Sequence, residues 1–355
     1  MQFFDDSLLP ETQDPLCIQV APYAPSFFPR DSDDIPLSYA EQVQKAVDCY
    51  NAGATLLHVH VREPDGNGSK DLDRFNEMLD RLRTAVPKMI LQVGGSISFA
   101  PKSDGEAALW LSDDTRHMLA DLNPAPDQVT LAVNTNQMNV MELITEDDCA
   151  GTSMSEANYT EAYTEMYYEA GPKFMKEHMK RLTAAGIQTH FMVGCVRDLE
   201  TVERLVRSGH YMGPLAINWV AIGGGHDGPN PRNLMEFINR LPQNAIFTVE
   251  GLMRNVYPLC TMAIAMGLHA RVGQEDNLWG RKGERATSVQ QIEKLVRISE
   301  ELYRPIATGE QARAIYKIGE FYSNVDETLE KNGWLPNRNT NFGVANVRSA
   351  PLMAA

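Results

Sequence analysis

The stretch Ala52-Gly53-Ala54-Thr55-Leu56-Leu57-His58-Val59-His60-Val61-Arg62-Glu63 decides the fold class of this chain. Gly53 stops a helical pattern running from Tyr39 to Ala52, and the apolar, β-branched run at 55–61 reads as a buried strand. Pro64-Asp65-Gly66-Asn67-Gly68 then ends the strand in turn-forming residues. Helix, strand and turn in that order form the unit of an α/β protein. A strand repeats its side-chain direction every second residue, so His58 and His60 point to one face and can converge on a single metal ion. They sit at the strand's C-terminal end, where α/β enzymes keep their chemistry. The flanking Leu56, Leu57, Val59 and Val61 argue for burial over an exposed edge strand.

Outward from this unit, eight short apolar runs bounded by turns read as strands, near 17–23, 55–61, 89–94, 128–133, 187–193, 215–222, 245–250 and 268–274. Helical patterns alternate with them at Tyr39 to Ala52, Asp71 to Val86, Glu200 to Arg207, Pro231 to Leu241 and Val289 to Leu302. Eight such units suit a closed (β/α)8 TIM barrel better than its competitor, a doubly wound open sheet. Two segments fall outside the repeat. Asn134 to Ala185 is a long insertion after strand 4, rich in Met and Tyr, that covers the barrel mouth, packs on another subunit or supplies core methionines. Ser323 to Ala355 is a C-terminal extension without helical or strand periodicity, read as an arm that is disordered or docked at a subunit interface. The expected organisation is one catalytic barrel over 1–322 and a tail over 323–355.

With 43% hydrophobic and 22% charged residues, the 355-residue chain has ample material for a core. Its formal net charge of −15 argues against nucleic acid or an anionic membrane as partner, so an anionic small molecule must meet local arginines or a metal. Cys17, Cys49, Cys149, Cys195 and Cys260 are dispersed without CxxC spacing, so buried reduced thiols are expected. Met1 to Pro15 is acidic and lacks a signal pattern, and no stretch reaches the ~18 apolar residues of a membrane span, so a cytoplasmic location is expected.

A second polar cluster, Arg271-Val272-Gly273-Gln274-Glu275-Asp276-Asn277, ends the eighth strand. In a closed barrel strand 8 lies beside strand 1 and strand 1 beside strand 2, so a carboxylate here reaches an ion held by the histidine pair. Two imidazoles and one carboxylate make a three-ligand catalytic zinc site with an open position; Glu275 or Asp276 is the third ligand, and the other is free to act as a base. The competing reading is an acidic helix N-terminus. The same donor set also suits iron, cobalt or manganese. His190 in the fifth strand is either a hydrogen-bonded core residue or a site residue. Gly94-Gly95-Ser96 after strand 3 and Gly223-Gly224-Gly225-His226-Asp227-Gly228 after strand 6 are either plain tight turns or places where backbone approaches a ligand, with free N–H groups at the first. Neither carries a nucleotide-binding spacing.

Together these residues resemble the beta-keto acid cleavage enzymes, whose type member is 3-keto-5-aminohexanoate cleavage enzyme. The resemblance runs from about Cys17 to Gly319. It rests on Ala52 to Glu63, on Arg271 to Asn277, and on Arg304-Pro305-Ile306-Ala307-Thr308 before Gln311-Ala312-Arg313. It implies a zinc-dependent, homotetrameric (β/α)8 barrel, a transferase that converts a β-keto acid plus acetyl-CoA into acetoacetate plus a new acyl-CoA. By this resemblance the zinc ligands are His58, His60 and Glu275, and the general base is Asp276 with Arg271 as partner. The implied chemistry is polarisation of the keto oxygen by zinc, removal by Asp276 of the proton between the two carbonyls, attack of the enolate on the thioester, and retro-Claisen release of acetoacetate. Arg271 is expected to keep Asp276 ionised, because an adjacent cation lowers a carboxylate's pKa.

Thr130 resembles a threonine the family uses near its substrate, and Gly94 or Gly95 stands where the family has a serine. The type member's glutamate after strand 1 falls near Pro25 and Ser26, and its strand-5 glutamate falls among Gln188, His190 and Met192. Thr130, Gly94, Gly95, Ser26 and His190 are therefore the expected substrate contacts. With no carboxylate at either glutamate position, a neutral or more apolar β-keto acid is expected in place of an amino-bearing one. The competing functions are a metal-dependent hydrolase, either cleaving C–C bonds with water or amidohydrolase-like, and a metal-binding barrel without turnover. The amidohydrolase plan puts its histidine pair on the first strand and wants further histidines after strands 5 and 6, whereas here a full strand precedes the pair and Leu215 to Val220 offers no histidine.

Overall fold

The computed structural model describes residues 1–23, 27–95, 113–281 and 283–338. Eight parallel strands close into a ring: β1 (Ile18–Val20), β2 (Ala54–Val59), β3 (Ile90–Val93), β4 (Gln128–Ala132), β5 (Gln188–Val193), β6 (Ala216–Val220), β7 (Ile246–Glu250) and β8 (His269–Val272). Closure is made by β1, which sets Gln19 beside Arg271 of β8 on one side and beside Leu56 of β2 on the other. Every expected strand and helix is present within a few residues of its expected bounds, and the chain is a (β/α)8 barrel.

The outer helices form where caps and apolar stripes coincide. In α1 (Tyr39–Asn51) Ser38 and Glu41 make a reciprocal capping box. In α2 (Leu72–Ala85) the Asp71 side chain caps the N-terminus, and Phe75, Met78, Leu79 and Leu82 form one buried stripe. Each such side chain contributes roughly 1.5–3 kcal/mol on burial. Then follow α3 (Pro172–Ala184), α4 (Asp198–Arg207), α5 (Pro231–Arg240), α6 (Tyr257–Ala265), α7 (Ser288–Glu301), α8 (Gly309–Ile315) and α9 (Val325–Asn332). All five cysteines are buried free thiols. None of the described helices is long and apolar enough to cross a membrane.

The insertion is shorter than its sequence suggests, because its last part, α3, is the ordinary crossover helix to β5. What remains is an antiparallel hairpin, Asn136–Met138 with Met166–Tyr168, enclosing two short helices, Glu146–Cys149 and Ala157–Thr164. Its Met138, Met154, Tyr163, Met166 and Tyr168 are all buried.

The tail differs from expectation. Asn324 caps α9 by accepting from Glu327 N, Gly333 ends it in the left-handed conformation, and the helix lies on α4 of the same chain. Asn332 fastens it there, accepting from Leu215 N and donating to Gly213 O. Asn339 to Ala355 lie outside the described residues.

Candidate functional site

Strand alternation and ring closure bring the two polar motifs together at the C-terminal ends of the strands. His60 follows β2 directly, and its Nε2 lies 3.0 Å from His58 Nε2. Glu275 Oε1 approaches the two rings at 3.2 and 3.6 Å. Glycine makes this approach possible twice. Gly273, at φ +139°, tucks the chain after β8 against Ala21, where a Cβ would fall 2.3 Å from the Ala21 oxygen. The next turn then anchors Glu275 N on Ala21 O at 3.0 Å. At Gly94 a Cβ would come within 2.4 Å of the His60 ring. Gly94 N–H is not free for a ligand as the sequence reading supposed, since it donates to Val59 O at 3.3 Å; this glycine makes room. The glycine run after β6 likewise receives the insertion, Asn139 N donating to Gly224 O at 2.7 Å.

The histidine tautomer is set from the barrel floor. Gln188 Nε2 donates to the backbone oxygen of Tyr316 at 2.9 Å, an atom that can only accept. Its Oε1 therefore accepts from Gln128 Nε2 at 2.6 Å, and Gln128 Oε1 in turn faces Gln92 Nε2 at 3.4 Å. That leaves Gln92 Oε1 to accept from Gln19 Nε2 at 2.7 Å and from His58 Nδ1 at 2.6 Å. His58 Nδ1 carries the proton, and its Nε2 lone pair points at the place where His60 Nε2 and Glu275 Oε1 converge. Glu275 Oε2 has no partner among the described residues. Two imidazoles and a carboxylate with ligand atoms within 4.8 Å of one another suit a borderline divalent cation, which would relieve the crowding of lone pairs.

Arg271 is the electrostatic hub. It reaches Asp276 at two points, 2.7 and 3.0 Å, Glu275 at 3.0 Å and Glu250 at 2.8 Å, all buried. Glu250 was missed in the sequence, although a charged residue ending the apolar strand β7 was the available signal. Burial, outweighing Arg271, pushes its carboxyl up to about 8. Burial also raises Asp276 above the usual range and Glu275 pushes it further up; Arg271 pulls it down as expected, but one guanidinium shared among three carboxylates does not offset the burial. Burial alone would raise Glu275 too, but His58, His60 and Arg271 hold it well below the usual range.

One pocket is lined by His58, Gly94, Gly95, Thr130, Glu275 and Asp276. Thr130 Oγ1 has no partner among the described residues. His190, expected at the site, is fully buried in the barrel beside Thr130 and does not line this pocket; burial, then His58 and Arg271, push it down to about 3. Ser26 lies outside the described residues.

A closed (β/α)8 barrel with two histidines and a glutamate converging beside a carboxylate–arginine network defines an enzyme with a candidate metal centre. The family profile described as beta-keto acid cleavage enzyme matches residues 15–318, and the chain belongs to that family. It is 30% identical over 288 residues to the 3-keto-5-aminohexanoate cleavage enzyme of Acetoanaerobium sticklandii, covering 81% of this chain and 92% of that protein. It is 26% identical over 297 residues to the 3-dehydrocarnitine:acetyl-CoA trimethylamine transferase of Rhizobium meliloti, covering 81% and 91%. It is 24% identical over 314 residues to the 3,5-dioxohexanoate:acetyl-CoA acetone transferase of Paraburkholderia graminis, covering 86% and 97%. Among solved structures, the complex of ObcA with oxaloacetate has a TM-score of 0.57 at 15% identity over 81% of this chain and 68% of that one, a likeness of fold.

Proposed function

We propose that this chain cleaves a β-keto acid with acetyl-CoA, giving acetoacetate and an acyl-CoA, at a zinc site held by His58, His60 and Glu275. The observation that carries the reading is the convergence of those three ligand atoms within 4.8 Å beside the Arg271–Asp276 pair, in a chain of this family. Relatives named for acetyl-CoA transfer support the co-substrate. Bound there, zinc would supply Lewis-acid polarisation of the keto oxygen. Asp276 is the base for the proton between the two carbonyls, since it lines the pocket beside Glu275. Arg271 holds Asp276 at two points and so fixes its direction of attack. Thr130 and the Gly95 backbone border the same space and orient the substrate.

The test pairs metal content with turnover. About one zinc per chain, the stoichiometry of a single site, is expected in the wild type and is lost in His58→Ala. Acetoacetate is expected only when acetyl-CoA accompanies the β-keto acid. Cleavage without acetyl-CoA would favour the hydrolytic alternative, and metal without turnover the non-catalytic one.

A further inference from the structure

We propose that the pocket facing the histidine pair across the barrel mouth binds an uncharged, mainly apolar acyl chain of the β-keto acid, and that the insertion hairpin helps set this specificity. The proposal rests on the reaction assigned above and names its substrate class.

In a ring of eight strands β2 and β6 stand opposite each other, so a pocket that starts at His58 and Glu275 and includes residues beyond β5, β6 and β7 crosses the mouth. Its far wall is Met138, Met166, Met192, Val220, Ile222 and Leu252. Met192 and Val220 come from β5 and β6, whereas Met138 and Met166 oppose each other across the insertion hairpin. Flexible methionines fit chains of varied shape without a polar contact.

The charged residues of the pocket all belong to the Arg271 cluster, and each is engaged there. The Oε2 of Glu250, for example, forms an ion pair with Arg271 Nε at 2.8 Å and accepts from Asn218 Nδ2 at 2.5 Å. On the far side the polar groups are neutral. The Tyr168 hydroxyl lies 2.9 Å from His226 Nε2, and burial pushes His226 down to about 4. His226 Nδ1 is buried and has no partner among the described residues. An ammonium or second carboxylate placed against this wall would be desolvated without a counter-charge.

The test uses the metal-loaded full chain with three six-carbon acids: 3-oxohexanoate, 5-amino-3-oxohexanoate and 3-oxoadipate. Acetoacetate formation is measured with acetyl-CoA, and binding is measured calorimetrically without it. We expect 3-oxohexanoate to exceed either charged acid by roughly 100-fold in both kcat/KM and affinity, the scale of an unpaired buried charge. Tighter binding of a charged acid, or no binding of any, overturns the proposal. Ordered binding without turnover supports the pocket and overturns the assigned reaction instead. Met192→Glu is expected to reverse the order toward the amino acid and Met192→Leu to keep it; a folded, metal-bearing Met192→Glu with the wild-type order overturns the proposal. Should Met192→Glu fail to fold, Met166→Ala in the hairpin is expected to weaken 3-oxohexanoate binding roughly tenfold with metal content unchanged, and unchanged affinity overturns the role of the hairpin.

Discussion

Gln92 Oε1 lies 2.6 Å from His58 Nδ1, and through Gln128 and Gln188 that contact is tied to the backbone oxygen of Tyr316 on the barrel floor. The polarity of a hydrogen-bond chain spanning three strands thus decides which histidine nitrogen faces the candidate metal position. Such outer partners tune metal affinity through ligand orientation.

Gln92→Leu should therefore weaken metal binding by about 10- to 100-fold, read by competition with a chelator. Gln188→Leu should act in the same direction but less strongly, because Gln92 keeps its contact with His58. Unchanged affinity in both would show that the chain plays no part in holding the ligand.

Gly94→Ala should abolish the site without touching a ligand. Its Cβ would stand 2.4 Å from His60 Cε1 and 2.5 Å from Nε2, so the ring must leave its position. Metal analysis checks this, and full occupancy would contradict it.

Asp276→Asn should separate metal binding from chemistry. Zinc content is expected to persist while kcat falls by about 10²- to 10⁴-fold, the usual contribution of a positioned base. Near-normal turnover would remove Asp276 from the proposed role.

Acid should destabilise the fold through its buried histidines. Burial lowers His178, His190 and His269 to about 3 and His226 to about 4. The unfolded chain, with histidines near the ordinary 6.5, binds more protons between those values, so stability is highest above pH 6.5 and falls as pH drops toward 4. Each group contributes up to about 1.4 kcal/mol per pH unit in that window. Denaturant melts at pH 5 and 7.5 check this, and His269→Gln should flatten the slope.

Much was legible because it is local. The two-residue period of β2 put His58 and His60 on one face, and the alternation of strands and helices called for a barrel before any contact was known. The tail helix was misread although its signals were present, Asn324 three residues before Glu327 and Gly333 just beyond the last turn; its short apolar stripe gave a weak period. Glu250 stood at the end of an expected strand, and nothing local reveals how Gln19, Gln92, Gln128 and Gln188 align across the ring.

The chain by itself determined its class, its family and the residue types that meet at the strand ends, since side-chain direction and turn chemistry depend on neighbouring residues. Only the tertiary structure decided how those residues divide their charge. Closing the ring brings Arg271 to three carboxylates in a water-poor interior, where burial outweighs a single cation and raises Asp276 and Glu250. It also laid the insertion's methionines over the mouth, a packing set by contacts between segments far apart in sequence.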